Sequence, residues 1–157
     1  MNNGTSGADG FSSQEADNDL SLCLLELAAE ALDLIVLVWQ LDDEVVCLSD
    51  RWAMRVHGSS HLTYLDPMAM RALIHPNDHL ALDSAVQSCL FGGNRIVSVN
   101  LRLRTPSGWL PVTARGRATA FNSAGNATRI VASLTEITHS GGIEALRRRD
   151  SSATVAL

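Results

Sequence analysis

The chain has 157 residues, enough for one domain, and 46% of them are hydrophobic but only 4% aromatic, so we expect an aliphatic core. The formal net charge of -5 at pH 7 argues against nucleic acid as a general partner, because binding phosphate requires a basic surface. The three cysteines are far apart and fit no zinc-binding spacing, which indicates reduced thiols in a cytoplasmic protein.

The N-terminal third of the chain changes character twice. Residues 1–11 are rich in Gly, Ser and Asn, and we expect a disordered tail there. The start lacks the basic residues and apolar run of a signal peptide, which favours a cytoplasmic location. An amphipathic helix is predicted over 12–33, beginning at a capping box of Ser12 and Glu15. Acidic residues interrupt its apolar stretch, so we expect no membrane span.

The predicted helix over 12–33 carries apolar residues at alternating spacings of four and three, the pattern of a short coiled coil. The residues of this seam are Leu20, Leu24, Leu27 and Ala31. A helix this apolar must pack on its own domain, on a second copy of itself, or on both. We expect a homodimer with the seam as its interface, and packing on the same domain is the alternative.

Two short strands are predicted next. The β-branched run at 34–40 is typical of a buried strand, and the run at 45–49 follows it across the turn LDDE as a hairpin partner. A helical middle section comes after the hairpin. It contains DRWAMRVHG at 50–58 and the amphipathic stretch DHLALDSAVQSCL at 78–90.

Three long strands complete the pattern, at 95–104, 109–121 and 128–138. Apolar and polar residues alternate in the first of them, and turn residues separate all three. The order of elements predicts an α+β domain over 34–138, with a five-stranded antiparallel sheet and helices over one face. The amphipathic helix over 12–33 precedes this domain.

The stretch LIHPND at 73–78 carries a His, a Pro and an Asp within four positions, with a second His at position 79. Histidines four apart on a helix can bind a metal, but Pro76 disfavours helical geometry at His75. Asp78 can instead accept backbone N–H bonds at the start of the next helix. We therefore interpret the stretch as a rigid corner, and not as a metal site or an acid/base pair.

Small side chains dominate one face of the predicted strand at 109–121. That face holds Leu110, Val112, Ala114, Gly116, Ala118 and Ala120. Small residues in succession cannot fill a core, so either another element packs unusually close or an apolar cavity remains for a ligand. The other residues expected in the cavity wall are Leu82, Val86, Val97, Val99 and Leu101.

Three motifs resemble the PAS domains of bacterial sensor proteins, and they occur in that family's order. IHPND resembles the His-Pro-acidic-acidic corner before the family's long connecting helix, although Asn77 replaces the first acidic residue. LRTPSGWLPVTARG resembles the passage from one strand through a glycine turn into a Trp-containing strand. TEIT resembles the closing Asp-Ile-Thr, with Glu136 in place of Asp. The resemblance covers residues 32–138.

The resemblance implies a sensory, dimerising module that binds a small molecule between sheet and helices. It also implies a relay to an effector, such as a histidine kinase or an enzyme of cyclic-di-GMP turnover. No such effector motif occurs in the sequence, so we expect 139–157 to be a linker toward an effector outside this chain, and a free-standing regulator is the alternative. The implied ligand-binding set adds Trp52, Ala132 and Leu134, and the implied relay residues are Glu136 and Thr138.

An apolar molecule such as a fatty acid is the favoured ligand, and haem or flavin are alternatives that the resemblance leaves open. His79 sits too near the helix start to suit haem. The light-sensing branch needs an Asn-Cys-Arg motif that the sequence lacks. We expect no enzyme activity in this chain, since nucleotide-binding and hydrolase motifs are missing. The main alternative function is a ligand-free dimerisation or protein-interaction module.

Overall fold

The computed structural model describes residues 24, 27, 28, 30–32, 34–57 and 63–155. These fall in two units, Met1–Leu32 and Asp33–Leu157. In the first unit, residues 24, 27, 28, 30 and 31 are helical, as the predicted N-terminal helix requires. Leu20 of the predicted seam and the predicted tail at 1–11 lie outside the described residues.

The second unit contains a six-stranded antiparallel sheet in the order β3-β2-β1-β6-β5-β4. Its strands are β1 (Ile35–Gln40), β2 (Val45–Leu48), β3 (Thr63–Leu65), β4 (Val97–Thr105), β5 (Gly108–Phe121) and β6 (Ala127–Glu136). The helices are α1 (Asp50–His57), α2 (Pro67–Ala72), α3 (His79–Phe91) and α4 (Ser140–Val155), with a 3-10 helix at Pro76–Asp78.

The predicted α+β class is confirmed, and all five predicted strands are present. The sixth strand, β3, comes from a stretch that the sequence assigns to the helical middle section. It has three residues, too few for an alternating pattern to show. Among the described residues, no helix is long and apolar enough to cross a membrane.

The core lies against one face of the sheet. Alternation turns Leu101 and Leu103 of β4 and Val112 of β5 to this inner face, where all three are buried. The complete cluster of buried core residues is Ile35, Val46, Leu48, Trp52, Val56, Ile74, Leu101, Leu103, Val112 and Leu134. This core is aliphatic apart from Trp52, as the composition predicts.

The corner Leu73–Asp78 runs along the outer edge of β4, an edge strand of the sheet. The Arg104 N–H donates to Leu73 O at 2.8 Å, and the His75 N–H donates to Arg102 O at 2.9 Å. The corner thereby satisfies backbone groups that the β4–β5 ladder leaves unpaired. The His75 ring also packs on Trp109 of β5, with 4.7 Å between the ring centroids.

One expectation about the corner is wrong. Asp78 makes no side-chain hydrogen bond to the start of α3. Its carboxylate instead accepts the backbone N–H of Arg102 on β4 at 2.8 Å, and Asp78 is fully buried. Sequence reasoning favours the local helix cap because the partner on β4 lies 24 residues further along the chain.

Helix α4 covers residues that the sequence assigns to a linker at 139–157. It folds back on the domain, and Leu146 is buried with 2% of its surface exposed. The helix meets the side of β4 that carries Arg102, opposite the face that carries Leu101. One helix therefore packs on the outer side of the sheet edge, in addition to the predicted helices over the inner face. Continuation toward an effector stays a prediction.

Candidate functional site: an apolar cavity beside the sheet

A cavity of about 500 Å³ lies between the inner face of the sheet and helices α2 and α3. This volume is within the range of small-molecule sites, roughly 300–1,000 Å³. Strands β1, β2, β4, β5 and β6 all contribute to its wall, which is almost wholly apolar. Such a wall removes apolar ligand surface from water and supplies few polar partners.

Most of the predicted ligand-binding residues lie in this wall. They are Leu82, Val86, Val97, Val99, Leu101, Ala114, Gly116, Ala132 and Leu134. They meet because alternation on β4, β5 and β6 turns them to one face, while α3 contributes Leu82 and Val86 from above it. Ligand binding by these residues stays a prediction.

The structure places three predicted residues outside the cavity wall. Trp52 of α1 is fully buried in the core, and Leu110 packs against that core. Ala118 of β5 is 1% exposed and pairs with Ile130 of β6. The sequence identifies the face to which Leu110 and Ala118 belong, but it does not show how far the cavity extends along β5.

One residue on the small-residue face of β5 has no room for a side chain. A Cβ atom on Gly116 would lie 2.8 Å from the Cβ of Ala132 and 2.8 Å from Val131 O, closer than side chains tolerate. The glycine therefore permits a close approach of β5 and β6. The cavity nevertheless persists in front of Ala114 and Gly116.

Further residues of the wall are absent from the predicted ligand-binding set. They are Leu37, Trp39, Val46, Pro67, Met68, Met70, Arg71, Ile74, Asp83, Ala85, Gln87, Cys89 and Ile130. Leu37 and Trp39 pair with Ala132 and Ile130, so they share the inner face. The run LIVLVWQ is apolar at nearly every position, and its alternation is therefore hidden. Pairing β1 with the last strand would have revealed both residues.

An ion pair joins α2 to α3 at the cavity. Arg71 Nε donates to Asp83 Oδ1 at 3.1 Å, and Arg71 Nη2 donates to Asp83 Oδ2 at 2.8 Å. These hydrogen bonds lower the pKa of the Asp83 carboxyl below its usual range. Both side chains are well exposed, so the pair is screened by solvent and contributes little to stability. Within the pair, the charge of each side chain is compensated by the opposite charge of the other.

Cys89 is the cysteine of the cavity wall. Its Sγ donates to Gly116 O at 3.8 Å, and burial raises the pKa of the thiol. The thiolate is the nucleophilic form, so this cysteine is held in its unreactive state. In the described part of the chain, no group of three or more His, Cys, Asp or Glu side chains could hold a metal ion.

A buried ion network lies on the other side of β4. Asp78 Oδ1 accepts from Arg102 Nη2 at 2.8 Å and from Arg149 Nη1 at 3.0 Å, while Asp78 Oδ2 accepts from Arg102 Nε at 3.0 Å. Burial would raise the pKa of Asp78, but the hydrogen bonds from Arg102 and Arg149 outweigh it and lower that pKa. Asp78 is therefore ionised when the protein is folded.

The network connects the corner and β4 to helix α4. Arg102 Nη1 donates to Asp150 Oδ2 at 2.8 Å, and Asn77 Nδ2 donates to Asp150 Oδ1 at 2.9 Å. Arg149 Nη1 also donates to Asn100 O at 2.6 Å. Arg102 neighbours Leu101, whose side chain lines the cavity from the opposite face of β4. Leu101 thus contacts the cavity, and the next residue of the same strand, Arg102, contacts the polar network.

The predicted relay residues lie near the end of β6. Glu136 Oε2 accepts from Arg55 Nη2 of α1 at 3.2 Å, and both side chains are exposed. Thr138 is exposed between β6 and α4. Their role in a relay stays a prediction.

Solved structures share this fold. A sensory box histidine kinase/response regulator from Burkholderia thailandensis E264 is 23% identical, with a TM-score of 0.62 over 85% of this chain and 98% of that chain. The N-terminal domain of a diguanylate cyclase with PAS/PAC sensor from Marinobacter aquaeolei is 9% identical, with a TM-score of 0.55 over 67% of this chain and 95% of that chain. No protein-family model matches the sequence, and no curated protein matches it significantly.

These likenesses define the class of fold. The chain has a PAS fold, as the three sequence motifs predict.

Proposed function

We propose that the chain is a sensory domain that binds a small, mainly apolar molecule in the cavity and relays a conformational change to an effector. The cavity of about 500 Å³ is the observation that carries this proposal. An unfilled cavity between five strands and two helices reduces the stability of the fold, because protein interiors are otherwise close-packed. A bound ligand would restore the missing packing contacts.

The type of effector is proposed by analogy of fold alone. The two solved structures are named as parts of a histidine kinase/response regulator and of a diguanylate cyclase. Histidine kinase signalling and cyclic-di-GMP turnover are therefore the outputs that we propose. The effector would follow α4, whose Arg149 and Asp150 are joined to the corner and β4.

Mass spectrometry of the purified protein tests the ligand. When the purified protein is denatured, we expect it to release about one equivalent of a small molecule per chain. An absorbance spectrum of the same sample distinguishes an apolar molecule from haem or flavin, which would show a Soret or a flavin band. Repeated absence of any molecule, with no thermal shift across a panel of lipids and metabolites, would instead support a ligand-free interaction module.

We also propose that the protein acts as a homodimer through the seam of the N-terminal helix. The seam residues Leu24 and Leu27 are helical in the structure. The double variant Leu24→Asp plus Leu27→Asp is expected to give a folded monomer of about 16.8 kDa by light scattering, because charges in an apolar seam oppose association.

The control for the dimer is the single variant Leu32→Asp, which places one negative charge outside the seam and is expected to leave the dimer intact. Persistence of the dimer in the double variant would show that the seam packs within one chain.

A further inference from the structure

The charged residues of the cavity wall lie where the cavity opens. The exposed residues among the described lining are Met68 on α2 and Asp83 and Gln87 on α3, which indicates an opening between these two helices. Arg71 of α2 lines the same opening, and 35% of its side chain is exposed. We call these four residues the rim. Behind the rim the wall is almost wholly apolar, so the polar end of an amphiphilic ligand would stay at the rim, near water.

Arg71 and Asp83 compensate each other's charge across the rim. Two hydrogen bonds of 3.1 and 2.8 Å join them, and they are the charged residues of the described lining. A ligand carboxylate could bind Arg71 only by displacing Asp83, which would then lie unpaired beside a second negative charge. A ligand ammonium group that displaced Arg71 from Asp83 would leave two positive charges together. Such like-charge neighbours reduce the affinity for both kinds of ion.

We propose that Arg71 and Asp83 set the charge specificity of the cavity, which takes an amphiphile with its apolar chain inside and an uncharged polar head, such as a hydroxyl group, at the rim. The Gln87 amide can donate to and accept from such a head. The inference rests on the proposed ligand-binding function and narrows its ligand class. It replaces the fatty acid favoured from the sequence, because Asp83 already holds the cation that a carboxylate would need.

Three probes with the same number of carbon atoms test the charge of the head. Decanol, decanoate and decylammonium carry a neutral, a negative and a positive head at neutral pH. Calorimetry on the whole chain measures their affinities, and decanol is expected to bind the wild type most tightly. Mass spectrometry of the purified protein gives a second reading, because a ligand released from it is expected to be uncharged.

Two charge variants separate the role of the rim from a general preference for apolar probes. Asp83→Asn leaves Arg71 without its acidic partner, so the affinity for decanoate is expected to rise about threefold, the scale of an exposed ion pair. Arg71→Gln frees Asp83, and the affinity for decylammonium is expected to rise by about the same factor. The affinity for decanol should stay unchanged in both variants.

Asp43→Asn is the matched control. It removes the same charge as Asp83→Asn, but from an exposed turn residue outside the described lining, and it should leave all three affinities unchanged. An equal gain for decanoate in this control would show that the net charge of the protein, and not the rim, decides the affinity.

The outcomes separate the inference from the function on which it rests. Tighter binding of either ion than of decanol by the wild type, an unchanged affinity for decanoate in Asp83→Asn, or release of a charged ligand from the purified protein would each overturn the proposed specificity. A co-purified ligand that excludes the probes supports the specificity if it is uncharged. Failure of all three probes to bind a protein that purifies without a ligand would overturn the proposed function itself.

Discussion

Replacing Asp78 with Asn is expected to lower the free energy of unfolding by about 3–5 kcal/mol, the usual cost of removing one partner from a buried ion pair. Asp78 is fully buried, and its carboxylate holds both Arg102 and Arg149. The variant leaves the Arg102 guanidinium buried with Asp150 as its remaining acidic partner. Urea unfolding followed by circular dichroism measures the change.

Asp83→Asn provides the matched control for Asp78→Asn. It removes the same charge from another Arg–Asp pair, but the Arg71–Asp83 pair is exposed to solvent. Screening makes exposed pairs weak, so this variant should unfold close to the wild-type midpoint. Two outcomes would contradict the prediction: similar losses in the free energy of unfolding for the two variants, or a loss below about 1 kcal/mol for Asp78→Asn. Either would show that burial does not make the Asp78 network more stabilising than an exposed pair.

The same network predicts how stability depends on pH. The pKa of Asp78 is lower in the folded state than in the unfolded state, because the hydrogen bonds from its arginines outweigh the effect of burial. Such a group stabilises the fold above its unfolded-state pKa of about 3.9, and this stabilisation is lost as pH falls through the folded pKa. The wild type should therefore lose stability below about pH 4 more steeply than Asp78→Asn.

Ala114→Leu is expected to abolish uptake of the ligand without unfolding the domain. Ala114 lines the cavity and is incompletely buried, facing open space between its neighbours Val99 and Leu134. A leucine there would project into the volume that the ligand needs and would bury its own apolar surface. Mass spectrometry of the purified variant measures uptake, and thermal unfolding measures stability.

Ala118→Leu is the control for Ala114→Leu. It makes the same substitution further along the same face of β5. Alternation makes positions 114 and 118 equivalent, but Ala118 is 1% exposed and lies outside the cavity wall. The larger side chain has no space there, so a loss of about 1–3 kcal/mol in stability is expected. Full ligand uptake by Ala114→Leu would show that the ligand does not occupy the space in front of Ala114. Unaltered stability of Ala118→Leu would show that there is free space beside Ala118.

The sequence predicts the fold well where the pattern is long and regular. The strands β4, β5 and β6 alternate over nine or more residues, and their inner faces follow directly. The strand β3 is too short to alternate, so no local signal reveals it. The corner is predicted from Pro76, but the partner of Asp78 is not, since a hydrogen bond to Arg102 depends on how distant elements pack.

The candidate site is predicted in part for the same reason. Alternation identifies Ala114 and Gly116 as inner residues, whereas the positions of α2 and α3 decide where the cavity ends and exclude Ala118. Trp39 is hidden in an apolar run, and its unpaired N–H depends on its surroundings in three dimensions. Such contacts have no sequence period and could not be inferred from the chain alone.

The corner and helix α4, which cover the edge of β4, also affect the tendency of the protein to aggregate. An edge strand with free backbone groups is a template on which another chain can add a strand. On β4 the N–H of Arg102 donates to Asp78, and that of Arg104 donates to Leu73 O. The C=O of Arg102 accepts from the His75 N–H, and that of Asn100 accepts from Arg149. The opposite edge strand, β3, has three residues and offers little length for strand addition. Polymerisation through a continued sheet is thereby disfavoured.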